Sequence, residues 1–118
     1  MKKQSSSQQA SEINLEYGMP TAGEALAMLK REIESHRARK TKCLTVIHGY
    51  GSSGKGGVIR NKAREWLKAQ EKNGKVKTVI FGEDFDLFHA RAPEMKNKYP
   101  SLSPLLNACN HGVTIVEL

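Results

Sequence analysis

The chain has 118 residues, 38% of them hydrophobic, and carries a formal net charge of +7 from 19 Lys and Arg against 12 Asp and Glu. This length accommodates one small domain and excludes two, and no run approaches the roughly 20 apolar residues of a membrane span. The charge favours an anionic partner: nucleic acid, an acidic protein or a membrane surface. A soluble basic domain without such a partner is the alternative.

The two cysteines, Cys43 and Cys109, have no metal-ligand spacing and are too few for a disulfide framework. We expect both to be buried or half-buried thiols in a reducing compartment. The N-terminus lacks the apolar core of a signal peptide, which favours a cytoplasmic location.

The first 11 residues, MKKQSSSQQAS, contain almost no apolar side chain and predict a disordered polar tail before a folded domain at 12–118. The next segment, EINLEYG, alternates between apolar and polar residues. This period of two predicts a half-buried strand with Ile13, Leu15 and Tyr17 on its inner side.

A helix is predicted next, because Thr21 and Glu24 form a capping-box pattern ahead of an apolar stripe. Its basic C-terminal part, which contains His36, is expected to face solvent. The β-branched run CLTVIHG that follows predicts a strand buried on both faces.

The segment GVIRNKAREWLKAQEKNG predicts a second helix, and KVKTVIFG and GVTIVEL predict two more strands. The long segment between those strands contains three prolines and is expected to hold a short helix or two. The fold class is therefore α/β, an α+β two-layer sandwich in which two main helices cover one face of a four-stranded mixed sheet. The last strand lacks a full crossover helix before it, which allows it to run antiparallel.

The glycine-rich loop HGYGSSGKGG lies between a strand and a helix, where a phosphate-binding loop belongs. Gly49, Gly54 and Lys55 fit the pattern G-x-x-x-x-G-K. However, Gly56 stands where a nucleotide site needs a Ser or Thr hydroxyl to hold Mg²⁺. The sequence therefore argues against an ATP or GTP site.

The same loop still suits a nucleic-acid backbone. Glycines allow close approach to phosphates, and the following helix presents unpaired N–H groups. Lys55 and Arg60 add full charges, and Tyr50 offers a ring on which a base can stack. The alternative is a flexible turn with incidental charge.

The segment GEDFDLFH is the other candidate for chemistry. Its titratable residues are Glu83, Asp84, Asp86 and His89. They suit a divalent metal, but a solvated acidic loop is the favoured interpretation. Phe85 and Phe88 are expected to pin this loop on the core, and His111, before the last strand, is interpreted as structural.

The chain resembles the Smr (small MutS-related) domain family. The motif H-G-x-G of His48–Gly51, the pair Ile59–Arg60 and the closing pattern G-x-T-x-V-x-L from Gly112 carry the resemblance. It implies a βαβαββ fold similar to the C-terminal domain of a bacterial translation initiation factor. It also implies nucleic-acid binding, and some members are endonucleases that nick DNA or cut RNA.

One motif departs from the family. Members usually carry L-D-x-H in the first strand, whereas this chain reads Leu15-Glu16-Tyr17-Gly18. The acid remains as Glu16, but the histidine is replaced by Gly18. A missing general acid or base typically costs ~10²–10⁴-fold in rate, so nuclease activity is in question.

The leading hypothesis is a Smr-like module that binds a DNA or RNA backbone through the loop from His48 to Arg60. An active endonuclease and a basic protein- or ribosome-interaction adaptor are the alternatives. No membrane partner or cofactor is expected, apart from a divalent metal in a nuclease, and no metal ligands are assigned. The catalytic candidates are His48 and Glu16. The residues expected to contact nucleic acid are His48, Gly49, Tyr50, Gly51, Lys55, Gly56, Gly57 and Arg60.

Overall fold

A four-stranded mixed sheet forms the centre of the domain. The computed structural model describes residues 9–49 and 56–118. The strands are β1 (Ala10–Asn14), β2 (Cys43–Ile47), β3 (Thr78–Phe81) and β4 (Val113–Glu117). The helices are α1 (Ala22–Ala38), α2 (Gly56–Lys72) and α3 (Ala92–Lys98), with 3₁₀ turns at Gly82–Asp84 and Pro100–Leu105. None of the helices among the described residues has the length and hydrophobicity to span a membrane.

The last strand of the chain lies inside the sheet, between two earlier strands. The spatial order is β1-β2-β4-β3, with β1 parallel to β2 and β4 antiparallel to both of its neighbours. All five residues of β4 are buried, as expected for a strand with neighbours on both edges and cover on both faces. The predicted mixed sheet, with an antiparallel last strand, is confirmed.

Helix α1 begins where the capping box predicts. The Thr21 hydroxyl accepts from the Glu24 N–H at 3.1 Å, and the Glu24 carboxylate accepts from the Thr21 N–H at 2.9 Å. The two bonds satisfy donors that a helix N-terminus otherwise leaves free. The buried stripe of α1 also includes His36, whose Nδ1 lies 3.0 Å from the Thr41 hydroxyl. The prediction of an exposed His36 was therefore wrong, because the apolar stripe reaches the last turn.

Helices α1 and α2 pack on one face of the sheet, as predicted. The core there joins both helices to all four strands. Leu29 and Ile33 of α1 and Leu67 of α2 are buried together with one or more side chains of each strand, namely Ile13, Val46, Val79 and Val116. Burial of a side chain of this size contributes roughly 1.5–3 kcal/mol. This layer therefore carries a large part of the stability of the fold.

The opposite face is covered by the segment between β3 and β4. Phe85, Met95 and Tyr99 are buried there against Ile80 and Ile115 of the sheet. The short helices expected in this segment are α3 and the 3₁₀ turns, and they close a second core. The predicted two-layer sandwich did not include this cover. The cover explains why β4 is buried on both faces.

A buried carboxylate ties this segment to the sheet. Glu117 of β4 accepts hydrogen bonds from the Tyr99 hydroxyl at 2.8 Å, the Lys98 ammonium at 3.0 Å and Arg91 at 3.1 Å. These contacts hold the pKa of Glu117 below its usual value despite its burial. A buried charge with several partners is tolerated where an isolated one is not.

The first strand starts and ends earlier than predicted. It begins at Ala10, so residues 10 and 11 belong to the sheet and not to a tail, while residues 1–8 lie outside the described part of the chain. Ile13 and Leu15 are buried as expected, but Tyr17 is 83% exposed. The chain turns away from the sheet after Leu15, since the Met19 N–H donates to the Glu16 carbonyl at 3.1 Å.

Two further predictions of burial were wrong. Phe88 is 96% exposed, so Phe85 alone of that pair anchors its segment. Cys43 is buried as expected, but Cys109 is exposed in the turn before β4.

Phe85 and Phe88 form a matched pair for a test of the second core. We expect Phe85→Ala to lower the free energy of unfolding by about 3–5 kcal/mol, because it leaves a cavity beneath the 82–112 segment. Phe88→Ala should change it by no more than about 0.5 kcal/mol. Urea denaturation monitored by circular dichroism measures both values. Equal losses at the two positions would contradict this packing.

Candidate nucleic-acid interface

The glycine-rich loop starts at a point fixed by the beginning of β4. The N–H groups of His48 and Gly49 both donate to the Gly112 carbonyl, at 2.9 and 3.0 Å. These two bonds extend the β2–β4 pairing by one step beyond Ile47 and Val113. The closing motif that starts at Gly112 therefore supports the H-G-x-G motif directly.

The His48 side chain points inward, and both of its ring nitrogens are hydrogen-bonded. Nδ1 lies 2.7 Å from the Gly49 carbonyl oxygen, and Nε2 lies 2.8 Å from the Thr114 hydroxyl. A carbonyl oxygen only accepts, so Nδ1 carries the proton and Nε2 of the neutral ring accepts from Thr114. The fully buried ring thus presents no free nitrogen to a ligand.

Arg64 of α2 is the centre of the polar network behind His48. Its Nε donates to the Thr114 hydroxyl at 2.9 Å, and its two terminal nitrogens donate to the Glu83 carboxylate at 2.9 and 2.8 Å. One terminal nitrogen also donates to the Val113 carbonyl at 3.0 Å. The guanidinium lies over the Phe81 ring, 4.1 Å from its centroid. Bidentate pairing of this kind fixes direction as well as distance.

Burial and neighbouring charges keep His48 neutral. Burial, together with the charges of Arg64 and Arg60, lowers the pKa of His48 to about 4, although the hydrogen bond to Gly49 opposes this shift. The Arg64 hydrogen bonds lower the pKa of Glu83 to about 2, so this carboxylate is ionised at neutral pH. The site therefore combines a neutral imidazole with a buried ion pair.

Glu16 lies against the first glycine of the loop. Gly49 has φ of +73°, and the Glu16 carboxyl group occupies the space that a Cβ at Gly49 would need. The Leu15 N–H donates to the Ile47 carbonyl at 2.8 Å, which brings the end of the first strand alongside the end of β2. The structure thus brings Glu16 and His48 into contact with the same glycine of the loop, Gly49.

Gly18, at the position of the family's histidine, has a backbone that suits glycine. Its φ is +81°, a region that residues with a side chain rarely adopt. No atom lies within 4 Å of a Cβ built at this position. The turn at Gly18 is open to solvent. Since glycine has no side chain, nothing at this position contacts the Glu16 carboxylate in the way a histidine could.

Helix α2 begins at Gly56 and directs its N-terminus toward the loop. Arg60, the fifth residue of this helix, is half-buried and close enough for its charge to act on His48. The first turn contains no acidic residue, so no carboxylate of that turn offsets the positive dipole at the N-terminus of the helix. Tyr50, Gly51 and Lys55 lie outside the described residues.

The acidic segment is not a solvated loop at Glu83, which is paired with Arg64. The Asp86 carboxylate accepts from the N–H groups of Phe88 and His89 at 2.9 and 3.0 Å. Within residues 9–49 and 56–118, no three His, Cys, Asp or Glu side chains come together as a metal site.

Sequence analysis missed Arg64 and the role of Thr114. Both gave signals in the sequence: Arg64 follows Arg60 by one helical turn, and Thr114 is a polar residue in a strand of otherwise apolar inner positions. Neither signal identifies the partner, because the contacts join residues 19 to 66 positions apart.

The pKa of His48 makes stability depend on pH. The unfolded chain takes up a proton near pH 6.5, whereas the folded chain takes it up only near pH 4. The contribution of His48 to the free energy of unfolding is therefore fully present above pH 6.5 and is lost as the pH falls from 6.5 to about 4. We expect His48 to account for a loss of about 3 kcal/mol. His36, whose pKa is also lowered by burial, contributes with the same sign.

Urea denaturation at a series of pH values measures this loss. His48→Asn should be less stable than the wild type at neutral pH, since it breaks the contact with Thr114, yet it should lose less stability on acidification. Equal losses in the two proteins would show that His48 titrates normally in the fold.

Comparison with known proteins places the domain in a family. The family model of the Smr domain matches residues 17–83. The crystal structure of the Smr domain of Thermus thermophilus MutS2 is similar in fold, with a TM-score of 0.56 and 23% sequence identity over 92% of this chain and 96% of that one. A search of curated proteins gave no match. Smr domains generally bind or nick nucleic acid. The family model covers more than half of the chain and the fold agrees with it, and the chain therefore belongs to the Smr domain family.

Proposed function

We propose that this domain binds the sugar–phosphate backbone of DNA or RNA through its loop surface, defined as His48–Arg60. The observation that carries the proposal is the polar network from Glu83 through Arg64 and Thr114 to His48. It fixes the start of the loop relative to α2, which presents its N-terminal N–H groups beside that start. A backbone-binding site needs donors held in place, and phosphate contacts determine the position of a nucleic acid on a protein.

Charge supports the same assignment. The net charge of +7 attracts polyanions, and none of the ion pairs among the described residues involves Arg60. The Arg60 guanidinium is therefore available to a phosphate, unlike that of Arg64, which is committed to Glu83. In this proposal Arg60 and Lys55 contact the ligand, and Arg64 positions the helix that carries Arg60.

His48 acts here as a positioning residue. Its neutral ring bridges the loop carbonyl of Gly49 and the hydroxyl of Thr114, so it sets the direction in which the loop leaves the sheet. This role differs from the phosphate contact expected from the sequence, because the buried ring carries no charge to offer.

Nicking is the second candidate function, and Glu16 is the observation that favours it. Its carboxylate lies at the base of the loop, where a phosphodiester bound by the loop surface would be within reach of a general base. The binding role is preferred because His48 has no free nitrogen and Gly18 has no side chain. The adaptor hypothesis stays a prediction, without a contact in the described residues that favours it.

The loop surface is tested by the salt dependence of binding. We expect the double variant Lys55→Ala and Arg60→Ala to bind duplex DNA more weakly across sequences. It should flatten the slope of log affinity against log salt by about 1.8, since each lost phosphate contact contributes about 0.9. Fluorescence anisotropy with labelled duplex DNA and structured RNA measures the slopes, beside a titration with ATP.

The matched control is Lys75→Ala with Lys77→Ala. These exposed lysines precede β3, at the end of the sheet opposite to the loop, because the Lys77 N–H donates to the Glu117 carbonyl. The control removes the same charge and should keep the wild-type slope. An unchanged slope in the folded loop variant, or micromolar binding of ATP, would contradict the proposed surface. Equal flattening in both variants would indicate attraction by net charge alone.

Cleavage assays separate binding from nicking. We expect no robust turnover of supercoiled DNA or structured RNA, with or without Mg²⁺, because Gly18 removes a proton carrier that is typically worth ~10²–10⁴-fold in rate. Strong cleavage that Glu16→Gln abolishes without weakening binding would contradict this expectation and establish nicking as the function.

A further inference from the structure

A thiol, an imidazole and a carboxylate lie in a row beside the turn that precedes β4. The Cys109 Sγ is 3.7 Å from Nε2 of His111, and Nδ1 of His111 is 3.5 Å from an Oε atom of Glu83. The Glu83 carboxylate is in turn held by Arg64 on its other side. Cysteine nucleophiles in proteins are activated by this arrangement, in which a base lies next to the thiol and a third group orients the base.

The thiol is open to solvent and has room in front of it. Cys109 is exposed, and His111 keeps about half of its side chain exposed. Residues 108–111 line an open cleft of about 510 Å³. This volume accommodates a small molecule, and among the described residues only 108–111 line it.

The backbone holds the thiol close to the imidazole. Asn107 and Cys109 adopt left-handed conformations, with φ of +65° and +53°. The Asn107 N–H donates to the Phe85 carbonyl at 2.9 Å, and the Gly112 N–H donates to the Asn110 side chain at 2.8 Å. The turn is thus fastened at both ends, which keeps the Cys109–His111 distance short.

We propose that Cys109, His111 and Glu83 form a thiol–disulfide exchange site for low-molecular-weight disulfides. Nε2 of His111 takes the proton of the Cys109 thiol, while Nδ1–H of the ring faces Glu83. The resulting thiolate attacks one sulfur of the small disulfide, a new S–S bond forms and the old one breaks. The leaving thiolate takes the proton back from His111. The products are one mixed disulfide on Cys109 and one free small thiol, so electrons and protons balance.

Disulfide exchange is the reaction that these three groups can support by themselves. It needs a thiolate, a proton acceptor and access for the second disulfide, and no further group to stabilise an oxyanion. Cys43 provides an internal contrast, since burial raises the pKa of its thiol to about 12. The mixed disulfide on Cys109 lies three residues before Gly112, which holds the start of the nucleic-acid loop.

The rate of adduct formation tests the proposal without any nucleic acid. The reduced protein is mixed with oxidised glutathione at neutral pH, and intact-mass spectrometry follows the addition of one glutathione. An unassisted thiol is ionised by only a few per cent at this pH. We therefore expect the folded protein to react about tenfold faster than a peptide of residues 105–110, which has the same cysteine without His111 or Glu83.

Three variants locate the cause. His111→Gln should lower the rate to that of the peptide, whereas His89→Gln, the same substitution elsewhere in the 82–112 segment, should leave it unchanged. Cys109→Ser should form no adduct. A wild-type rate equal to that of the peptide, an undiminished rate in His111→Gln, or adduct formation in Cys109→Ser would each overturn the proposal. None of these outcomes depends on whether the loop surface binds nucleic acid.

Discussion

Arg64 holds a full positive charge in the interior of the domain, where it donates to the Glu83 carboxylate, the Thr114 hydroxyl and the Val113 carbonyl. A buried charge is tolerated only when it is paired and its donors are satisfied, and leaving one unpaired costs about 3–5 kcal/mol. These partners come from two parts of the chain, the turn after β3 and the start of β4. The guanidinium therefore fixes the relative positions of α2, the start of β4 and the turn after β3. The first residues of the glycine-rich loop are in turn bonded to the start of β4.

The position of this ion pair explains why the candidate interface lies where it does. Arg64 belongs to the helical layer, Thr114 to the sheet and Glu83 to the segment that covers the second face, so all three parts of the domain meet at one point. His48 is the last member of the chain of contacts, and its low pKa follows from the same burial. In the proposed function, the neutral imidazole of His48 fixes the start of the loop and does not itself contact a phosphate.

Local patterns in the sequence predicted the elements, and long-range contacts escaped prediction. The capping box at Thr21 and the order of helices and strands follow from local patterns, and both are confirmed. The H-G-x-G motif pointed to the Smr family, and the family model confirms that membership. The exposure of single side chains was harder to predict. Tyr17 continues the alternating pattern of the first strand, but the strand ends before it and the side chain is exposed. Phe88 is a large apolar residue, yet it lies at an exposed position. The role of Arg64 escaped because its partners are distant in sequence, and a basic residue on a helix usually faces solvent.

Glu83 lies between the two proposed sites. Both of its oxygens accept from Arg64, while one of them also faces His111, so the carboxylate serves the loop surface on one side and the Cys109 cleft on the other. The two imidazoles differ accordingly. The His48 ring is buried and keeps a fixed tautomer. The His111 side chain is about half exposed, so a molecule bound in the cleft can reach it. Arg60 touches only the first site and His111 only the second. The sites are therefore separable by substitution at those residues, although a change at Glu83 would disturb both.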